Sequence, residues 1–227
     1  MNKTSLVAVL CAAAFAPMAA SAKTQDFQQW ATTSVQVQVA DRVKVQNEFI
    51  ARFSDNRGGF YEIENNLLVG YQLNKQITAW VGYVHNPQYA SGDFVRLERR
   101  AREQVTFDNI AKFGKASLSA RLRLEQRWRR NVEGTAWRVR PYVKLAVPLG
   151  GKTAPTLNLT NETFFNLTNT TFQKTDGLDR MRTAASLQVP LSKVLRFEAG
   201  YLNQHGFVRQ GRDTDDHVIT GAISLNF

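Results

Sequence analysis

Ser117-Leu-Ser-Ala-Arg-Leu-Arg-Leu-Glu-Gln-Arg-Trp128 alternates with a period of two. Leu118, Ala120, Leu122, Leu124 and Trp128 share one phase with Gln126. Ser117, Ser119, Arg121, Arg123, Glu125 and Arg127 hold the other. Successive side chains of a β-strand point to opposite faces, whereas a helix would spread these arginines around its circumference. One face of this strand therefore asks for an apolar medium, and the other for water or counter-charge. The pattern returns in Ala136–Val147. There Trp137, Val139, Pro141, Val143, Leu145 and Val147 oppose Arg138, Arg140, Tyr142 and Lys144. The apolar medium that fits is lipid.

Outward from this stretch the same alternation marks further strands. Before it come Trp30–Val39, Val43–Phe53, Phe60–Tyr71 and Ile77–His85, the last with Trp80 and Tyr83 as expected interface aromatics. Phe94–Ile110 admits a helix through Phe94, Leu97, Ala101 and Val105, but reads better as a long strand projecting past the membrane. One face then carries Arg96, Glu98, Arg100, Arg102 and Gln104; the other carries Val95, Leu97, Ala101, Val105 and Phe107, but also Arg99 near the wet end and Glu103. After it come Thr156–Leu167, Arg180–Val189, Leu195–Asn203 and His217–Phe227. Connections near 40–42, 72–76, 111–115, 149–153 and 190–194 are short. Those near 54–59, 86–93, 129–135, 168–179 and 205–216 are longer. Segments of about ten alternating residues with short turns on one side and longer loops on the other mark outer-membrane barrels. A closed sheet also satisfies its backbone in lipid without helices. The expected fold is all-β: a transmembrane antiparallel up-and-down β-barrel of 10–12 strands. The pattern itself counts eleven. An extra short strand at Lys23–Gln29 would make twelve, which the even-number habit of bacterial barrels favours slightly, and leaving Trp30–Val39 outside the ring would make ten.

The first residues read as an export signal. Lys3 precedes an apolar run from Leu6 through Phe15, and Ala20-Ser21-Ala22 is a small-x-small cleavage site. Residues 1–22 are the expected signal peptide, and 23–227 the barrel. Cys11, within that run, is the sole cysteine, so the exported part uses no disulfides. The net charge is +10. Export argues against nucleic acid as partner, and glutamates interleave with the arginines, so the charges read as a self-paired face.

With lipid outside, the charged phase points inward. The candidate lumen network is Glu48, Glu98, Arg100, Arg121, Arg123, Glu125, Arg127, Arg138, Arg140, Glu162, Arg180 and Arg182, with Glu62, Glu64 and Arg102 in the same phase. Arginine's planar fork binds carboxylates bidentately, so such chains can meet across a narrow barrel and fill it. The basic excess alternatively suits a narrow anion-preferring pore. Asp213, Asp215, Asp216 and His217 lie near a rim, where a hydrolase would keep its acids and histidine. The residues offer no catalytic set, cofactor site or metal-ligand spacing: His85, His205 and His217 stand apart, without suitably spaced partners. Alternation is symmetric under inversion, so a soluble periplasmic β-protein with the charges outside is a further alternative.

Several short elements, in order, carry a resemblance. They are Glu98-Arg99-Arg100 with Gln104, Arg121-x-Arg123-x-Glu125-x-Arg127, Arg138-x-Arg140, Asn161-Glu162-x-Phe164, Arg180-x-Arg182, Gly200-Tyr201-Leu202-Asn203-Gln204 and His217. Over Arg96–Phe227 the chain resembles the bacterial outer-membrane barrel family known as domain of unknown function 2490. The resemblance implies an outer-membrane barrel and no particular activity. Phe227, in phase with Ile219, Ile223 and Leu225, resembles the signal read by the barrel assembly machinery. The expected partners are that machinery and outer-membrane lipid.

Overall fold

The computed structural model describes residues 24–151, 153–173 and 176–227. The expected signal peptide lies outside the described residues. Eleven strands follow in order: β1 Thr24–Ala40, β2 Val43–Ser54, β3 Gly59–Gln72, β4 Ile77–Ala90, β5 Asp93–Phe113, β6 Ala116–Arg129, β7 Val132–Pro148, β8 Thr156–Asn166, β9 Gly177–Pro190, β10 Leu195–Gly206 and β11 Thr214–Asn226. Each pairs antiparallel with its sequence neighbour, and β1 closes the ring against β11. That last pair is parallel, from Thr24 beside Thr214 to Gln36 beside Asn226.

The parallel seam corrects the expectation of twelve strands. An odd meander leaves its first and last strands pointing the same way, so closure requires one parallel pair. Parallel pairing satisfies the backbone as antiparallel pairing does, with slanted hydrogen bonds. Residues 24–29 form no separate strand; they are the beginning of β1. The seam continues to the last residue. Phe227 N–H donates to the Gln36 carbonyl at 2.9 Å, and the Phe227 carbonyl accepts from Gln38 N–H at 3.1 Å.

The end of the barrel where β1 starts is called upper here, and the end where β11 finishes is called lower. At the upper end the expected loops at 86–93 and 129–135 are mostly strand. Pairing continues through Pro87 beside Leu97 to Ala90 beside Asp93. Ser91 and Gly92, at φ of 51° and 90°, close that hairpin; consecutive positive φ values match the right-handed twist of paired strands. Residues 167–176 and 207–213 remain as longer upper connections, but 149–155 is a comparably long lower one. The contrast in loop length between the two ends is therefore weaker than the sequence implies.

Most charged strand side chains occupy the inside of the ring and most apolar ones the outside; on β5, Arg99 and Glu103 are exposed on the outer face. Glu125 is 0% and Arg102 1% exposed, whereas Leu122 is 53% and Ile219 63% exposed. Two aromatic expectations change sides. Trp80 lies in the lumen, in phase with Val84 and Asn86, rather than at an outer interface. It is seated opposite Gly70, where an added Cβ would stand 2.5 Å from its ring. Its Nε1–H donates to Thr106 Oγ1 at 3.2 Å. Strict alternation would put Tyr61 outside with Ile63. A register shift pairs Phe53 with Phe60 but Arg52 with Glu62, so Tyr61 is the extra residue of a bulge and turns inward. Its hydroxyl donates to Gln28 Oε1 at 2.8 Å.

Candidate functional site: the charged lumen

Four glutamates act as hubs inside the ring. Glu125 on β6 accepts from Arg102 Nε at 2.8 Å, Arg138 Nη2 at 2.6 Å and Arg140 Nη1 at 2.8 Å. Glu98 on β5 accepts from Arg100 Nε at 2.7 Å, and from Arg127 Nε and Arg129 Nε at 3.0 Å each. Glu162 on β8 holds Arg140 Nη2 at 2.8 Å, Arg121 and, at 3.8 Å, Arg182. Glu64 on β3 holds Arg102 Nη2 at 2.8 Å, Arg100 Nη1 at 3.2 Å and Arg52 Nη2 at 3.4 Å. Arg52 also reaches Glu62.

Three arginines join these hubs into one lattice. Arg100 links Glu98 to Glu64, Arg102 links Glu64 to Glu125, and Arg140 links Glu125 to Glu162. The lattice thus crosses the barrel from β3 and β5 to β8. Moving charges out of water costs several kcal/mol per ion, which only close geometry and further hydrogen bonds offset. Further donors meet part of that demand: Arg102 Nη1 finds Asn66 Oδ1 at 2.5 Å, and Arg100 Nη2 finds Asn86 Oδ1 at 2.9 Å, while Arg52 Nε and Arg121 Nε are buried without an acceptor among the described residues. Room for such long side chains comes from the opposite wall. The inward positions there include Thr32, Ser34, Ala184, Gly200, Thr220 and Ala222. Gly200 has no space for a side chain, because an added Cβ would lie 2.5 Å from the Ala185 carbonyl oxygen and from Ser186 Cβ.

Aromatic rings hold the guanidiniums that the glutamates do not saturate. Phe164, 1% exposed, carries Arg140 at 4.3 Å, Arg182 at 4.7 Å, Arg138 at 5.0 Å and Arg180 at 5.5 Å from its ring centre. Trp30 carries Arg52 at 4.3 Å and Arg182 at 4.7 Å. A cation over an aromatic face is attracted by the ring quadrupole, more strongly when desolvated.

The structure does not place every expected charge in the ion-paired lattice. Glu98, Arg100, Arg121, Glu125, Arg127, Arg138, Arg140 and Glu162 lie within it, and Arg182 lies at its edge. Glu48 instead accepts from Asn66 Nδ2 at 2.9 Å. Arg123 donates to the neutral Gln104 at 2.9 Å. Arg180 pairs with Asp179 at 2.9 Å near the upper end, not with a hub. Arg52 and Arg129 belong to the lattice although the expected set omits them; both stand in phase with inward residues, Glu48 and Arg127. Phe164 is also in phase, with Glu162, but reading apolar residues as outward hides it. Phe227 is 64% exposed at the lower end.

Two cavities lie on either side of the lattice. The upper one, about 190 Å³, is lined among others by Arg57, Arg96, Arg180, Arg182, Trp30 and Phe164. The lower one, about 250 Å³, is lined by Glu48, Trp80, Gln104, Arg123, Tyr142 and Lys144 among others. They share no lining residue, and Arg102 and Glu125 line neither.

Near the upper rim Asp216 and His217 do not converge, whereas Asp213 reaches His205 at 3.3 Å from the side opposite Asp215. Asp216 accepts from Gln204 and lines the upper cavity, whereas His217 leaves the opposite face, with Nδ1 2.6 Å from the Tyr201 hydroxyl. Asp215 pairs with His205 at 2.9 Å.

Fold and site together define a closed β-barrel with an arginine–glutamate lumen. The chain belongs to the family described as "Protein of unknown function (DUF2490)", whose model matches residues 27–215. It is also similar to an uncharacterised protein of Methylorubrum extorquens, 28% identical over 219 residues, covering 95% of this chain and 94% of that one. No solved structure matches.

Proposed function

We propose that this protein is an integral outer-membrane barrel, non-enzymatic, whose lumen is closed by its ion-pair lattice. The observation that carries this reading is the sidedness of the ring: a salt-bridged interior inside a mainly apolar exterior, whose polar interruptions pair locally, Glu103 with Gln126 and Asn47 with Asn65. Alternation alone allows the inverse, a soluble barrel with a greasy core. Here Phe49, Leu67, Val81, Leu122, Leu187 and Ile219 are all exposed on the outer wall. Exposed apolar area on monomeric soluble proteins is limited to patches of a few hundred Å².

Aromatic contacts at the upper end support the same reading. Phe94, Tyr89, Phe60 and Phe53 form a chain of neighbouring rings across β5 to β2, with centre distances of 6.1, 5.2 and 5.6 Å. Phe27, His217 and Tyr201 continue it across β1, β11 and β10, at 5.4 and 6.1 Å. Aromatic girdles stand at membrane–water interfaces. A lower-end C-terminus would face the periplasm and the longer upper loops the exterior. Closure is supported by the two cavities that share no wall. A rim hydrolase is not supported, since Asp216 and His217 point to opposite faces.

Cell fractionation tests the location. The mature chain is expected in outer membranes, resistant to high salt and carbonate, and migrating faster on a gel before boiling than after. Recovery as a soluble periplasmic protein would refute the proposal.

A further inference from the structure

We propose that the upper cavity is a binding site for a phosphate-bearing anion. This deepens the closed-lumen reading, in that the lattice below makes the cavity a dead-end cup. Ten arginines line it against four acids, Glu62, Glu64, Glu98 and Asp216. Three further acids just outside the lining, Glu125, Glu162 and Asp179, pair with Arg138, Arg140, Arg182 and Arg180, and a basic excess remains. Most of its deep arginines serve the glutamate hubs; Arg57, Arg96 and Arg180 do not, and Arg182 reaches a hub only at its edge. Arg96 donates to neutral Gln88 and Arg57 lies over the Tyr61 ring. Arg182 donates to neutral Gln204 and lies 3.8 Å from Glu162, while Arg180 pairs with Asp179, outside the hubs.

These four come from different parts of the wall: the β2–β3 turn, β5 and β9. In the ring order β3 and β9 stand nearly opposite one another. The cup therefore presents, from facing walls, guanidiniums that the hubs do not saturate. A second observation lies deeper. Arg52 is 7% exposed, lines the cup, and its Nε is buried without an acceptor. A buried unmet donor on a charged group is costly, and a bound oxyanion would supply its acceptor. The rings of Phe164 and Trp30 hold Arg180, Arg182 and Arg52 in place, so little side-chain freedom is left to lose on binding.

Size and valence select the ligand class. About 190 Å³ is space for roughly six waters at some 30 Å³ each, enough for a small anion. A carboxylate has two oxygens, which one arginine fork can saturate. A phosphate group offers three or more acceptor oxygens and a higher charge, matching several convergent forks.

Isothermal titration of the folded barrel in neutral detergent tests the assignment. Inorganic pyrophosphate is one probe, and micelles doped with phosphatidic acid are the other. Saturable pyrophosphate binding is expected, weakened about tenfold or more per arginine in Arg57→Gln and Arg182→Gln, since a charged hydrogen bond contributes on that scale. Arg123→Gln, in the lower cavity, should leave binding unchanged. Binding from phosphatidic-acid micelles alone, with the same variant dependence, would assign the phosphate to a lipid headgroup. No binding of either probe, or equal binding by wild type and the Arg57→Gln/Arg182→Gln double variant, would overturn the proposal. Heat-modifiable gel migration verifies that each variant is folded. The readout is neither location nor conductance, so this assignment and the outer-membrane reading can fail separately.

Discussion

Glu125 is the residue on which the interior most depends. It is fully buried, and three arginines converge on its two oxygens. Removing one partner of a buried pair leaves uncompensated charge, at about 3–5 kcal/mol. Glu125→Ala should therefore lower the temperature at which the barrel loses its fast-migrating gel form. Glu48→Ala, whose partner is a neutral asparagine, should change it far less. Equal shifts in the two would mean that the lattice does not carry the stability assigned to it. Gly70 supplies a test from packing. Gly70→Ala would drive a methyl against the Trp80 ring, and overpacking of this kind costs about 1–3 kcal/mol. A melting temperature equal to wild type would contradict the seating of Trp80 in the lumen. Hubs such as Glu98, Glu125 and Glu162 were legible in the sequence, because alternation gives the face of a strand. Their individual partners were not, because pairing depends on which strands stand across the ring. Arg123 illustrates this: it sits in a row of lattice residues yet meets only Gln104.

At the level of the strand, β6 makes the sidedness testable. Leu122 faces out at mid-strand and Arg123 faces in. Leu122→Arg should block assembly into membranes, since a lipid-facing arginine near the midplane costs about 2–4 kcal/mol. Arg123→Leu should assemble. Equal tolerance, or the reverse order, would place the faces wrongly. The seam is the element that sequence reasoning did not reach. Strand patterning counts segments but carries no information on the sense of the pair that closes them, so eleven segments looked one short. Thr32 and Ala222 are direct partners across β1 and β11. With Thr32→Cys and Ala222→Cys in one chain, oxidation should form an intramolecular disulfide, seen as a reducible gel shift. Residues 23–227 contain no other cysteine to compete. Failure to cross-link while the barrel remains folded would argue for a different closure. Bulges escaped the sequence for a related reason. One extra residue beside Arg52 reverses the side of Tyr61, and strict alternation has no place for it.

As a whole molecule, the barrel combines a lipid-compatible exterior with an interior that its own charges occupy. Long arginines from β2, β5, β6, β7 and β9 reach into space left by small residues on β1, β10 and β11, so the fill is asymmetric around the ring. Excess positive charge collects above the lattice, which is why an anion cup and a closed lumen go together. The central claim is that closure, and conductance of the purified protein in a planar lipid bilayer tests it most directly. The account predicts almost no current through the wild type, and a leak when Glu64→Ala and Glu125→Ala remove two adjoining hubs. Steady, anion-selective conductance through the wild type would contradict it.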